Sequence, residues 1–361
     1  MAVKVLVVDD SPFMRSFLIK YIDADPRLEV VGTASNGVEA IERVQTLRPD
    51  VLSLDIEMPG MNGLEALKAI MREHPLPVIM LSSLTRDGAA ETIESLQNGA
   101  LDFIHKPAST FILDIHRLMS ELNDKLYAAS TVSPKRLQLQ SQRREGARVA
   151  VAAKGAASRN AVTLSGSRED VKKVVAIGTS TGGPQALASL LSGIGDSWDC
   201  PVLIVQHMPP QFTASLAARL NKLSPMPVVE AADQEKLRNG TVYIAPGDYH
   251  MTVDRADGFY RIVLHQQALR SGHRPSVDEL FASLAPLDEL QRYLILLTGM
   301  GKDGAEEMVR ARRSGNAVTI AESRESCVIY GMPRAAIEAG GAEHIMKLDE
   351  IPDFLTGCLT R

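Results

Sequence analysis

Three side-chain types able to carry out acyl transfer stand just beyond apolar runs in the second half of the chain. They are Ser180 after VVAIGT, His207 after PVLIVQ and Asp303 after YLILLTGMGK. A hydroxyl becomes a nucleophile when a base takes its proton, and an imidazole is the better base when a carboxylate fixes its tautomer. Each run reads as a strand of an α/β sheet, so the three residues are expected on one rim, at the carboxyl ends of strands. VVAIGTSTGGPQAL reads as strand, glycine-rich turn and helix, with Pro184 suited to the first helical turn. Ser180 falls at the tip of that turn, where free backbone N–H groups and the helix dipole favour a developing negative charge. The turn lacks the Lys-Ser/Thr of a phosphate-binding Walker loop and the GxSxG spacing of the common hydrolase elbow. Singly, a turn serine or a strand-end histidine is ordinary; the company of the three carries the reading.

A second set, in the first half, is acidic. Asp9 and Asp10 follow VKVLVV and Asp55 follows VLSL, while Ser82 follows PVIML and Lys106 follows LDFIH. If the first and third strands are neighbours, the three carboxylates converge, and like charges so crowded call for a cation. An oxygen-preferring divalent ion such as Mg²⁺ fits that donor set. A carboxylate nucleophile, a divalent-ion site, a hydroxyl and an ammonium together suit phosphoryl transfer onto aspartate. The plainer alternative makes Asp9 and Asp10 helix caps and Lys106-Pro107 a turn.

These residues need elements to hold them. Residues 1–128 alternate apolar runs (Lys4–Val8, Glu29–Thr33, Val51–Leu54, Val78–Leu81, Leu101–His105) with helix-like stretches, which predicts a doubly wound parallel sheet. Residues 129–170 are rich in Ser, Gln, Ala and Arg without a sustained apolar period and read as a flexible linker. From 171 to 361 the βα rhythm resumes, with runs at VKKVVAIG, PVLIVQHM, TVYIAPGDYH, YRIVLH, YLILLTGMG and NAVTIAE. A length of 361 residues agrees with two domains, and 4% aromatic content predicts aliphatic cores. A net charge of −5 gives no reason to expect nucleic acid or an anionic membrane as partner. Three cysteines without metal spacing and the lack of a long apolar run are expected of a cytoplasmic, soluble protein with no membrane insertion.

Two rival classes follow from other features. Gly299 to Gly304 has the GxGxxG spacing of a dinucleotide site, with Glu322 near the position of a ribose-binding acid. Against it, the motif falls on a late strand, and Asp303 would repel a pyrophosphate. A DNA-binding regulator would need a basic recognition helix, and the second half is instead strand-rich.

VDDSPFMR, LDIEMPGMNGLE, MLSS and HKP together resemble the signature of bacterial response-regulator receiver domains, over about residues 1–125. The resemblance implies a flavodoxin-like five-stranded (βα)5 fold with Asp55 as phosphoacceptor. It also implies Mg²⁺ on Asp9, Asp10, Asp55 and the Glu57 carbonyl, with Ser82 and Lys106 sensing the phosphate. GTSTGGPQAL, QHMP, APGDYHM, HRPSVDELF, LTGMGKDGA and GMPRAAIEAG resemble the chemotaxis-type protein-glutamate methylesterase domain. That resemblance implies Ser180 as nucleophile, His207 as general base and Asp303 as orienting acid, with Thr181 and the Met300 backbone in support and no cofactor at this site. His250, His273, Arg274 and Ser276 lie in the matching segments with a structural role as open as a catalytic one. The implied substrates are glutamyl methyl esters, and selected glutamines, on methyl-accepting chemotaxis receptors. A chemotaxis-type histidine kinase is the implied phosphodonor, with the receiver occluding the catalytic face until phosphorylated.

Overall fold

The computed structural model describes residues 2–83, 85–106, 112–132, 170–194, 198–315 and 317–359. Most of the expected linker, and Pro107, lie outside the described residues. The chain divides into two compact units, residues 1–163 and 164–361.

The first unit is a parallel sheet in the order β2-β1-β3-β4-β5. Its strands are β1 (Val3–Val8), β2 (Leu28–Ala34), β3 (Val51–Asp55), β4 (Val78–Ser82) and β5 (Asp102–His105). β3 and β4 are buried along their whole length, as expected of strands covered on both faces. The helices are α1 (Pro12–Ile22), α2 (Gly37–Leu47), α3 (Gly63–Glu73), α4 (Arg86–Asn98) and α5 (Ile112–Ser130). Their starts obey capping chemistry. Ser11, Asn36 and Thr85 each accept a backbone N–H of their helix, and Asn62 forms a capping box with Glu65. β1 pairs with β3 from Val5↔Val51 to Val8↔Leu54, so the first and third strands are indeed neighbours.

The second unit is built on a seven-stranded parallel sheet, ordered β14-β13-β12-β6-β7-β9-β8. In chain order it runs β6 (Lys173–Thr179), α6 (Gly183–Gly193), β7 (Val202–Gln206), α7 (Phe212–Leu220), β8 (Val228–Glu230) and β9 (Val242–Ile244). The hairpin β10 (His250–Ala256) and β11 (Phe259–His265) follows, then α8 (Val277–Leu284), β12 (Gln291–Leu296) and α9 (Ala305–Ser314). β13 (Ala317–Glu322), α10 (Met332–Glu338), β14 (His344–Met346) and α11 (Ile351–Leu359) complete it. The segment TVYIAPGDYH is not one element. β9 ends at Ile244 and His250 opens the antiparallel hairpin, which stands outside the main sheet. A largely aliphatic core, with Val174, Ala176, Leu203, Leu280, Leu294 and Met308 around the aromatic Phe281, joins strands to helices. Its members are almost fully withdrawn from water, the main favourable term holding such a unit together. The cysteines are free, and no described helix is long and apolar enough to cross a membrane.

Candidate functional site

β6 lies between β12 and β7, and its carboxyl end carries Ser180. Thr179 and Gln206, the last residues of β6 and β7, are register partners, so Ser180 and His207 are the next residues of adjacent strands. Paired strands run about 4.8 Å apart. The join continues past the sheet: the His207 N–H donates to the Thr179 carbonyl at 3.2 Å. On the other flank the Ser180 N–H donates to the Thr298 carbonyl, just beyond β12, at 3.1 Å. Thr298 also reaches into the turn with its hydroxyl, which donates to the Thr181 carbonyl at 2.9 Å. Gly299 packs so closely that a Cβ there would stand 2.9 Å from Ser180 Cβ.

Asp303, 2% exposed, lies in the turn from β12 to α9. One carboxylate oxygen, Oδ2, meets His207 Nε2 at 2.8 Å and the Val277 N–H at 2.7 Å. The other accepts from Ser276 Oγ at 2.8 Å and the Asp278 N–H at 3.0 Å. The carboxylate therefore sits on the N-terminus of α8, where unpaired N–H groups and the helix dipole favour an anion. Burial alone would raise its pKa. The bond and charge of His207, with the two backbone donors, outweigh that and hold the acid below the ordinary carboxylate range. An ionised Asp303 puts the ring proton on Nε2 and leaves the Nδ1 lone pair available. Nδ1 is buried and bonded to no described residue, Thr181 and Ser180 included.

The ring of His273 stacks flat on that of His207, with centroids 3.8 Å apart and planes 10° from parallel. His250 is different: fully buried, it bonds the Ala268 carbonyl through Nε2, and burial pushes its pKa down. Arg274 ties Asp248 to the carbonyls of Gln266 and Gln267 and so braces the same loop. The Met300 N–H makes no hydrogen bond among the described residues and lies one residue beyond Gly299. Sequence spacing alone missed Gln206, whose carboxamide contacts both turns, and Asp278, buried beside Asp303. Burial, then repulsion from Asp303, raises the Asp278 pKa to about 6.

The turn from Gly299 to Gly304 is thereby committed. Its acid faces His207 and α8, and Glu322 is buried with Oε2 accepting the Thr298 N–H. Neither is disposed to meet a dinucleotide, and the described residues of the second unit form a strand-rich α/β layer in place of a DNA-reading domain.

In the first unit, β1 and β3 deliver Asp9, Asp10 and Asp55, with ligand oxygens all within 4.8 Å of one another. Lys106 Nζ lies 2.7 Å from Asp55 Oδ2 and 3.0 Å from Asp9 Oδ2. Burial, opposed by Lys106 and reinforced by Asp9, raises the Asp55 pKa to about 6. A hard divalent cation fits this all-oxygen cluster, because its charge would remove the repulsion that the buried acids share. Asp9 Oδ1 also accepts the Ser11 N–H, but the residue that caps α1 is Ser11 itself, so the plainer alternative of an aspartate cap is not what holds this helix start. Ser82 is fully buried, and its hydroxyl is engaged by Thr92 at 2.7 Å and the Gly88 carbonyl at 3.3 Å. Ser83, not singled out by sequence, donates to the Glu57 carboxylate at 2.5 Å.

Comparison with known proteins agrees on both units. Residues 175–355 match the family model described as CheB methylesterase, and residues 5–115 match the response regulator receiver domain. A protein-glutamate methylesterase/protein-glutamine glutaminase of Geobacillus kaustophilus is 46% identical over 349 residues, 97% of this chain and 96% of its own. The protein of the same description from Bacillus subtilis is 40% identical over 359 residues, 99% of each chain. Among solved structures, the Thermotoga maritima CheB methylesterase catalytic domain is 38% identical. It covers 52% of this chain and 98% of its own, with a TM-score of 0.50.

Proposed function

The chain belongs to the protein-glutamate methylesterase/protein-glutamine glutaminase family, and we propose that it hydrolyses glutamate methyl esters on chemotaxis receptors by a Ser180–His207–Asp303 mechanism. The observation that carries this reading is the polarised histidine. Its Nε2 is held by Asp303 at 2.8 Å, while its unbonded Nδ1 belongs to the residue beside Ser180 on the next strand. Nδ1 takes the Ser180 proton as Oγ attacks the ester carbonyl carbon. Negative charge then collects on the carbonyl oxygen, where the Met300 N–H can donate to it. As the C–O bond breaks, the proton on His207 passes to the leaving oxygen and methanol departs. Water, deprotonated by the same ring, releases the acyl-enzyme as glutamate. A glutamine side chain reacts alike with ammonia leaving, so we extend the proposal to receptor deamidation.

Asp55 is the proposed phosphoacceptor, fed by a chemotaxis-type histidine kinase. Asp9, Asp10 and Asp55 would hold Mg²⁺, which when bound supplies positive charge against the incoming phosphoryl group. Lys106 and Ser82 are the proposed phosphate-sensing groups. Residues 1–128 then act as the receiver, 129–170 as linker and 171–361 as the catalytic domain of a cytoplasmic enzyme.

The test is methanol release from methylated receptor membranes. Ser180→Ala is expected to lose activity by a factor on the order of 10⁴–10⁶. Undiminished turnover in that variant would remove the serine mechanism.

A further inference from the structure

We propose that Gln206 is a positioning residue for the reaction at Ser180, its carboxamide tying the peptide of the nucleophile to the peptide of the base. The inference rests on reading Ser180 as nucleophile and His207 as base. Gln206 closes β7 and is 2% exposed. Its Nε2 donates to the Ser180 carbonyl at 3.0 Å and to the His207 carbonyl at 3.3 Å. A primary amide has two N–H donors on one rigid plane, and here each is used on a different turn. The amide therefore sets the spacing between the two peptides that must cooperate.

The anchoring is two-sided. The Ser180 N–H is held from β12 through the Thr298 carbonyl, and its C=O from β7 through Gln206. The first anchor is main chain. The second is a side chain, so substitution can release it while the sheet ladder stays intact. The amide's orientation follows from its partners, because the reverse assignment would turn Oε1 onto two carbonyl oxygens. Oε1 instead lies against Gly183, where a Cβ would come within 2.0 Å of it. That close approach accounts for a glycine in the first turn of α6.

Packing alone does not explain a glutamine here. The strand-end position is sealed from water, and Oε1 has no hydrogen-bond partner among the described residues. An apolar side chain would fill the same space without burying an unmet acceptor. What the amide adds is the pair of bonds to the turns. Gln206 acts through Ser180 and His207, and its contribution belongs in turnover rather than in substrate binding.

The experiment uses the full chain with Gln206→Met and Gln206→Glu, both close in shape, beside Ser180→Ala. Methanol release from methylated receptor membranes gives kcat and KM, with kcat normalised to the sites titrated by a fluorophosphonate. Gln206→Met is expected to lose on the order of 10²-fold in turnover per titrated site with KM little changed, the cost of a small misplacement of reacting groups. Gln206→Glu is expected to fall further, since its carboxylate faces two carbonyl oxygens. The rate of fluorophosphonate labelling should drop in parallel. A merely structural glutamine would reduce the number of titratable sites and leave turnover per site intact. Wild-type turnover per site in Gln206→Met, with Ser180→Ala inactive, would overturn this inference alone. An active Ser180→Ala would remove both it and the serine reading.

Discussion

Asp303, which holds His207, and Asp278, buried beside Asp303, have pKa values shifted in opposite directions, and each shift has a visible cause. Asp303 is held ionised by His207 and the α8 N-terminus, so its contribution to stability is present above the unfolded carboxylate pKa of about 3.9 and is lost as pH falls through the lower folded value. Asp278 is the reverse. Its folded pKa, raised to about 6, means the fold binds this proton more tightly than the unfolded chain does. Stability from this group is therefore full at low pH and is lost as pH rises from about 4 through 6. Asp278→Asn should raise the melting temperature at pH 8 more than at pH 5. An equal shift at both would mean that Asp278 is not the strained acid. Asp303→Asn should cost turnover on the order of 10⁴-fold, by loss of the tautomer that leaves Nδ1 basic. Ser180, His207 and Asp303 were legible as residues because each follows an apolar run. Gln206 was not, because a glutamine at a strand end reads as a surface residue until the register places it between two turns. The same holds for His273, whose spacing does nothing to announce a ring stacked on His207.

At the scale of elements, α8 is more than a cover for the sheet. Its first residues donate three hydrogen bonds to Asp303, from Ser276 Oγ and the Val277 and Asp278 N–H groups. Ser276 supplies no cap to its own helix; its hydroxyl is spent on the acid. Ser276→Ala should lower stability by about 1.5–3 kcal/mol, the range for a hydrogen bond to a charged group. Urea unfolding measures it, and an unchanged midpoint would show the hydroxyl to be idle. The five-stranded sheet and the long strands β6, β7, β12 and β13 were readable because parallel strands buried on both faces are continuous apolar runs. β8 and β14, at three residues each, are too short to give a period, and they form only because the neighbouring strand offers an edge. Composition presents TVYIAPGDYH as one run, but β9 ends before Pro246 and Gly247, and the strand that opens after them pairs only with β11.

At the scale of the molecule, two units with separate cores allow two chemistries to be tested separately. The catalytic unit carries its own hydrophobic cluster and the whole of the proposed triad. Residues 171–361 produced alone should therefore hydrolyse receptor methyl esters, and should outperform the unphosphorylated full chain if the receiver restrains the esterase. Equal specific activities would remove that restraint. Such control needs only a few kcal/mol between resting and active states. Asp55→Asn in the full chain should abolish stimulation by a small phosphodonor, read as methanol release with and without it. A retained response would move the phosphosite elsewhere.

The pairing of Thr179 with Gln206 has a consequence for quality control. Side chains alternate along a strand, so a β7 zipped one residue out of step would turn His207 away from Ser180 and every neighbour to the wrong face. A misassembled molecule of this kind could be compact and yet chemically silent. Reactivity toward an active-site reagent is thus a census of correctly threaded molecules. After refolding, the fraction titrated should equal the fraction that chose the right register, a yield that light scattering or circular dichroism would miss.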